Sequence, residues 1–354
     1  MNRLTILNVP IEPLEERYSI QWDKWFKKAF QNYSEEHDLE ILTIYGKGSQ
    51  GKINQGSFLD VIDTNIYKNE QTNRIIEYIR NNQEKEIVLF FHDLWFPGII
   101  NIAYVIYGLG LKKTIKICGC LHAGSYDTED FLSKKGMSTW AISFENSLFT
   151  IIDLIFVATE FHKKLILCER NVDYDKIKVT GFPIFQSEFV EDSLEEKDNI
   201  IVFPHRLDTE KCPEMFDTLK KEMQSEFPDW IFLKSKEHTN TKKEYYQLLA
   251  KSKIAVSFAK QETWGIAMQE ALFHNVIPVV PNRLSYPELY SAPFVYDEQG
   301  TLSIQNVKKL LRCIIFKYDT YKSFLVFNKN RLIVSGETAI NHMIEEILLL
   351  CRYV

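Results

Sequence analysis

The chain has 354 residues, 45% of them hydrophobic, and a formal net charge of −6. That length predicts two domains rather than one, each with enough apolar residues for its own core. The negative balance gives no electrostatic case for nucleic acid as a whole-chain partner, though it leaves room for a local basic groove. Apolar runs such as Ile87 to Phe91 and Ile347 to Cys351 are far too short to span a bilayer.

In chain order, Leu4–Val9 reads as a first strand, without the apolar core and cleavage site of a signal peptide. A helix follows over about Ser19–Glu35, a strand over Leu39–Tyr45, a helix over about Glu70–Asn81 and a strand over Glu86–Phe91. Next come a helix over about Gly98–Leu109, a strand over Thr114–Leu121, a helix over about Trp140–Phe149 and a strand over Asp153–Ala158. Glu160–Glu169 completes the helices of this half and Lys176–Thr180 its strands. Residues from Phe185 to Asp198 are polar and acidic, which suits a linker. The alternation then repeats, with strands near Ile200, Trp230, Ile254, Val276 and Phe294, and helices from Ser303 and over Glu337–Cys351. Such alternation predicts an α/β protein with doubly wound parallel sheets. The expected domains are 1–185 and 186–335, with 336–354 as a final helix. Six dispersed cysteines read as reduced thiols of a cytoplasmic protein, with no metal framework; Cys118 and Cys120 share one side of a strand.

One stretch carries most of the chemistry. Lys253 to Phe258 is a short buried strand, and after Thr263 the apolar residues Trp264, Ala267, Met268, Ala271 and Leu272 have helical spacing with one buried face. The first turn of that helix offers free amides and a positive dipole end to an anion, and Gly265 permits close approach. Glu262 and Glu270 bracket the turn; a carboxylate can accept from two neighbouring sugar hydroxyls. The plainer alternative makes Glu262 a helix cap and Glu270 a solvated residue. Upstream, the strand Ile200–Phe203 runs into His205, Arg206 and Lys211. Two fixed cations there can neutralise a diphosphate leaving group. A lysine in a first helical turn is disfavoured by the dipole, which argues for a ligand over a surface role.

The ordered set resembles a GT-B glycosyltransferase, most closely the retaining family 4 enzymes. Their pattern of Arg-x4-Lys followed by Glu-x7-Glu matches Arg206/Lys211 and Glu262/Glu270, and Ile277–Pro281 with Tyr286-Pro287-Glu288 matches the strand and loop beyond. The match is good from about Asp198 to Tyr290 and weaker elsewhere. The resemblance implies two Rossmann-like domains facing a cleft, with the last helix returning to the first domain. It also implies transfer of a sugar, with retention, from a UDP- or GDP-sugar to an acceptor hydroxyl, with no cofactor or metal required. Arg206 and Lys211 would hold the diphosphate, Glu270 the ribose, and Glu262 would lie near the transferred sugar. Phe258, Thr263, Trp264, Gly265 and Ile266 would complete the nucleotide-sugar site.

In the first domain, ligands are expected beyond the strands' carboxyl ends. His122 follows Ile115–Leu121; the resemblance gives it a contact with the donor sugar, with Gly124 allowing close approach, against a plain strand-end histidine. His92 and Asp93 are acceptor candidates with a structural alternative. The loop from Pro10 to Ser19 departs from the family by lacking a glycine pair; Glu12, Glu16 and Arg17 make it an acceptor-side candidate, or a solvated helix start. Gly46 to Lys52 lacks P-loop spacing and reads as a mobile acceptor loop. Asp173-Tyr174-Asp175 reads as a turn at the wrong strand end for a site. The acceptor stays open among a glycan, a small molecule and a modified base such as hydroxymethylated phage DNA. A sugar-nucleotide epimerase and a silent sugar-nucleotide-binding module remain as alternatives on the same fold.

Overall fold

The computed structural model describes residues 3–14, 17–37, 39–48, 60–134, 136–189, 196–297 and 304–352. The chain forms two compact units: Met1–Ala158 with His162–Pro183 and Thr338–Val354, and Ile184–Glu337 with Thr159–Phe161.

The first unit runs β1 (Leu4–Val9), α1 (Tyr18–Glu36), β2 (Leu39–Thr43), α2 (Val61–Asn81), β3 (Ile87–Phe91), α3 (Gly98–Gly108) and β4 (Ile115–Cys120). It continues with α4 (Ser138–Ile151), β5 (Leu154–Val157), α5 (Glu160–Glu169) and β6 (Ile177–Val179). Its strands form one parallel sheet in the order β2-β1-β3-β4-β5-β6. β3, at Ile-Val-Leu-Phe-Phe, is buried along its whole length, as a central parallel strand with both faces covered must be. Strand order reverses at β1, so the crevice between the carboxyl ends of β1 and β3 is the switch point where such sheets bind ligands.

In the second unit, β7 (Ile200–Phe203), α6 (Pro213–Met223), β8 (Ile231–Lys234), α7 (Ser235–His238), α8 (Lys242–Lys251) and β9 (Ile254–Val256) come first. They are followed by α9 (Ile266–Phe273), β10 (Ile277–Pro281), α10 (Tyr286–Leu289), β11 (Val295–Tyr296), α11 (Ile304–Phe316), α12 (Tyr318–Ser323) and α13 (Leu325–Arg352). The sheet is again parallel, ordered β11-β10-β9-β7-β8, with the reversal between β7 and β9.

Three helices differ from the sequence expectation. α2 starts at Val61 rather than near Glu70. Asp60 caps it, accepting from Ile62 N–H at 2.9 Å and Asp63 N–H at 2.8 Å. Its first turns expose Val61, Ile62 and Ile66, so no buried stripe announces them. α13 starts at Leu325 rather than Glu337 and runs through Gly336, a residue that reads as a break. A Cβ at Gly336 would meet Ile184 O at 2.5 Å, so the glycine lets the chain pass close. From Thr338 onward this helix belongs to the first unit, where Ala339, Ile340, Met343, Ile344 and Ile347 are buried and Lys178 pairs with Glu346 at 3.2 Å. α9 begins at Ile266, and Met268 through Phe273 are all buried. It is enclosed nearly all round, rather than on the single face that its spacing suggests. No helix among the described residues is long and apolar enough to cross a membrane.

Candidate active site

The switch point of the second unit is flanked by the loops after β7 and β9. The β7 loop descends through His205, Arg206 and Asp208 to a short 3-10 turn, Thr209–Lys211. Cys212 then turns left-handed at φ 55° and Pro213 opens α6. Lys260 N–H donates to Glu210 O at 2.7 Å, which ties the two loops together.

Lys211 is the joint between them. Its side chain is 8% exposed, and its ammonium lies 3.2 Å from Gln261 Oε1 and 3.3 Å from Glu262 Oε2. Glu262 uses its other oxygen to accept Gly265 N–H at 2.9 Å. Gly265 is left-handed at φ 68° and caps α9, a conformation that favours glycine. Glu262 is thus not itself the cap of the plainer alternative; it braces Gly265, which is, and it is also the counter-ion of a buried lysine. Burial alone would raise its carboxyl, but Lys211, His205 and the Gly265 N–H outweigh that and hold it below the usual range. With Gly265 N–H taken, the first-turn amides of Ile266 and Ala267 have no hydrogen-bond acceptor among the described residues.

Arg206 sits at the mouth. It is one-third exposed and pairs with Asp208 at 2.8 Å and Glu210 at 3.4 Å. Beneath it His205 is buried, its Nε2 2.8 Å from Ser257 Oγ, which lies 2.8 Å from Tyr286 OH. Burial, helped by Lys211, pushes the imidazole down to about 3, so this floor is uncharged at neutral pH. Phe258, Thr263 and Trp264 are buried, and Arg283 donates to Phe258 O at 3.0 Å. Ile266 is partly exposed at the helix start.

Glu270, one turn into α9, is buried rather than solvated. Its Oε1 accepts from Lys242 Nζ at 2.5 Å and from Tyr246 OH at 2.9 Å. The sequence reading singled out neither partner. A signal existed: Thr241 and Glu244 form a capping box that starts α8 at Lys242, a true first-turn lysine, whereas Lys211, expected in a first helical turn, lies in the 3-10 turn before α6.

In the first unit, His122 follows β4. Its Nε2 lies 2.7 Å from His92 O and its Nδ1 3.2 Å from Tyr18 OH. A carbonyl accepts only, so Nε2 carries the proton and Nδ1 accepts from the tyrosine. Trp22 and Phe182 pack on the ring at 4.8 and 4.9 Å, and burial lowers its basicity. Gly124 is required by shape, since a Cβ there would stand 2.1 Å from Tyr126 Cε1.

A polar network that the sequence did not announce supports this loop. Glu145 of α4 accepts from Ser125 N–H at 2.6 Å, Ser125 Oγ at 2.8 Å, Trp95 Nε1 at 3.0 Å and Arg170 Nε at 2.9 Å. Tyr126 OH meets His162 Nε2 at 2.6 Å.

The remaining candidates fall differently. His92 has no exposed surface; its Nε2 lies 2.7 Å from Asn8 Oδ1 and its ring packs on Phe26 at 4.3 Å. The imidazole therefore has no surface to offer an acceptor and serves the core. Asp93 is partly exposed, pairs with Lys68 at 3.3 Å and accepts Trp95 N–H. Glu12 is buried, and Arg17 donates its backbone N–H to Leu14 O as α1 begins. Glu16 lies outside the described residues, as do 49–52 of the glycine-bearing loop. Asp173 accepts from Asp175 N–H in a 3-10 turn that leads into β6.

No family model matches the chain. A tRNA-queuosine alpha-mannosyltransferase from Drosophila melanogaster is 30% identical over 190 residues, which cover 46% of this chain and 50% of that protein. The chain thus spans half the length of that relative. Among solved structures, a sucrose-phosphate synthase from Thermosynechococcus elongatus superposes with a TM-score of 0.67 at 11% identity, over 99% of this chain and 100% of that one. A glycosyltransferase from Rickettsia africae gives 0.61 at 14%, over 100% and 99%. Anabaena HepE in complex with UDP and glucose gives 0.59 at 13%, over 97% and 99%. Identities this low speak to architecture alone. With its two parallel-sheet α/β units, the chain has the GT-B fold found in these glycosyltransferases.

Proposed function

We propose that the chain transfers a sugar, with retention, from a nucleoside-diphosphate sugar to an acceptor hydroxyl. The observation that carries this reading is the buried Lys211–Glu262 couple beside the open amides of α9, on two loops that flank one switch point. As the bond to the anomeric carbon breaks, charge develops on the departing diphosphate. Arg206, Lys211 and the first amides of α9 are the groups that stabilise it, Arg206 exchanging Asp208 and Glu210 for phosphate oxygens. Glu262, held ionised, takes the position beside the transferred sugar, and Glu270 takes the ribose. In the first unit His122, neutral and fixed in one tautomer, is the candidate for contacting a sugar, with Gly124, Asp93 and Arg17 as acceptor-side candidates.

The test is a panel of UDP- and GDP-sugars scored by thermal shift, then by mass spectrometry for transfer or hydrolysis. The correct donor raises the melting temperature by mass action. A panel in which no nucleotide sugar stabilises the protein contradicts the proposal.

The mannosyltransferase match favours a second point, that the acceptor is a modified nucleoside in nucleic acid. Incubation of the protein with bulk tRNA or hydroxymethylated DNA and each donor, followed by nucleoside mass spectrometry, tests it. A hexose mass added to one nucleoside, with binding that weakens steeply in salt, is the expected result. Transfer only to glycans or small molecules excludes it.

A further inference from the structure

Glu270 has its two oxygens in different circumstances. Oε1 accepts from both Lys242 Nζ and Tyr246 OH, the buried Tyr245 hydroxyl also faces the carboxylate, and among the described residues no hydrogen bond within 3.5 Å reaches Oε2. The carboxylate is nearly sealed, with 4% of its side chain exposed. Lys242 and Tyr246 stand one turn apart on α8 and so present one face to α9. Both are held where they are. Lys242 is the first residue of α8, where the helix dipole disfavours a cation and Glu270 offsets that cost. The Tyr246 ring meets His274 at 5.0 Å and Phe189 at 5.4 Å, and Phe189 in turn stacks on Phe273 at 5.5 Å. His274 Nδ1 lies 2.8 Å from Glu270 O, which closes the cluster on the same helix.

We infer that Lys242 and Tyr246 are positioning residues that anchor Oε1 of Glu270 and reserve Oε2 for a ribose hydroxyl, and so set the site's preference for ribonucleotides. The inference rests on the nucleotide role proposed above for Glu270. A carboxylate with one oxygen doubly anchored cannot swing to follow a different ligand, and its remaining oxygen faces one fixed direction. A hydrogen bond from a hydroxyl to that ionised oxygen is a strong one, and losing it costs about tenfold or more in affinity.

The experiment measures, by calorimetry, the affinities of UDP and GDP and of their 2′-deoxy and 3′-deoxy counterparts. The proteins are wild type, Lys242→Met, Lys242→Arg and Tyr246→Phe. Wild type prefers the ribonucleotide by about tenfold or more over at least one deoxy form. In Lys242→Met and Tyr246→Phe the ribonucleotide loses about tenfold while the deoxy forms change little, so the preference collapses. Lys242→Arg keeps it. A purely structural role would lower all affinities together and leave the ratio alone. If Lys242→Met does not fold, Tyr246→Phe, which keeps ring and packing, decides the matter. A wild-type preference that survives in folded Tyr246→Phe and Lys242→Met overturns the inference and leaves the nucleotide site standing. A wild type that binds no nucleoside diphosphate overturns the nucleotide reading itself.

Discussion

Arg170→Met is the sharpest test of how the His122 loop is held. Arg170 and Glu145 form an ion pair at 2.9 Å with side chains only 4% and 1% exposed. Arg170 Nη2 also donates to Ser125 Oγ at 2.8 Å. Removing the arginine deletes these two bonds and a third, from Nη1 to Glu169 O at 2.8 Å, and leaves the Glu145 carboxylate buried without its cation. Breaking one side of such a pair costs roughly 3–5 kcal/mol. The three charge-assisted hydrogen bonds, at about 1.5–3 kcal/mol each, overlap that figure and are not added to it. Ser125 N–H, Ser125 Oγ and Trp95 Nε1 remain on Glu145 and soften the loss, so the expected value is near the lower end, about 3 kcal/mol. Because the two units can melt separately, urea melting is paired with hydrogen exchange of the peptide over 122–127, where Ser125 N–H is held by Glu145 and, among the described residues, by no other acceptor. Adding Glu145→Gln should recover part of the loss, with a coupling of roughly 1–3 kcal/mol. A cost below about 1 kcal/mol, the range of an exposed pair, with unchanged exchange in that loop, would refute the reasoning.

Lys211→Ala keeps the fold and lowers transfer by about 10²–10³-fold, since it removes one charge from the departing diphosphate; near wild-type turnover with a sugar nucleotide counts against the site. Gly124→Ala drives a Cβ into the Tyr126 ring, which is pinned by His162, and should cost about 1–3 kcal/mol by chemical melting. An unchanged midpoint would mean that the ring yields freely. Acid should destabilise the protein. Burial pushes His92, His162 and His205 each down to about 3, against roughly 6.5 in the unfolded chain. Between those values the unfolded chain binds more protons, so the stability present above pH ~6.5 is lost as pH falls toward ~3. Melting temperature measured from pH 7 to pH 4 should decline throughout; a flat profile contradicts the buried, neutral assignment.

Much of the fold was legible in the residues. β1 and α5 fall where apolar runs and breakers put them, and most other elements differ by a residue or two. Parallel strands buried on both faces leave continuous apolar runs, and a half-buried helix leaves a stripe. The misses lie where those signals fail. α2 begins with exposed Val61 and Ile62, and α13 runs through a glycine admitted by the backbone at Ile184. In the candidate site, Arg206, Lys211, Glu262 and Glu270 could be read because their spacing follows strand ends and helix starts.

Residue order alone determined that two parallel-sheet units exist and which loops emerge at their switch points, because those features depend on local periodicity and on connection length. Tertiary structure decided what each charged group faces. Glu262 became the brace of the Gly265 cap and a counter-ion at once because Gly265 turns its amide back and Lys211 arrives from a loop 51 residues earlier. Glu270 met Lys242 and Tyr246 because α8 packs beside α9. His92 went to the core, and Glu145 joined Ser125, Trp95 and Arg170. Pairings across such separations leave no periodic trace in a single sequence, since they are set by which helices the sheet brings together.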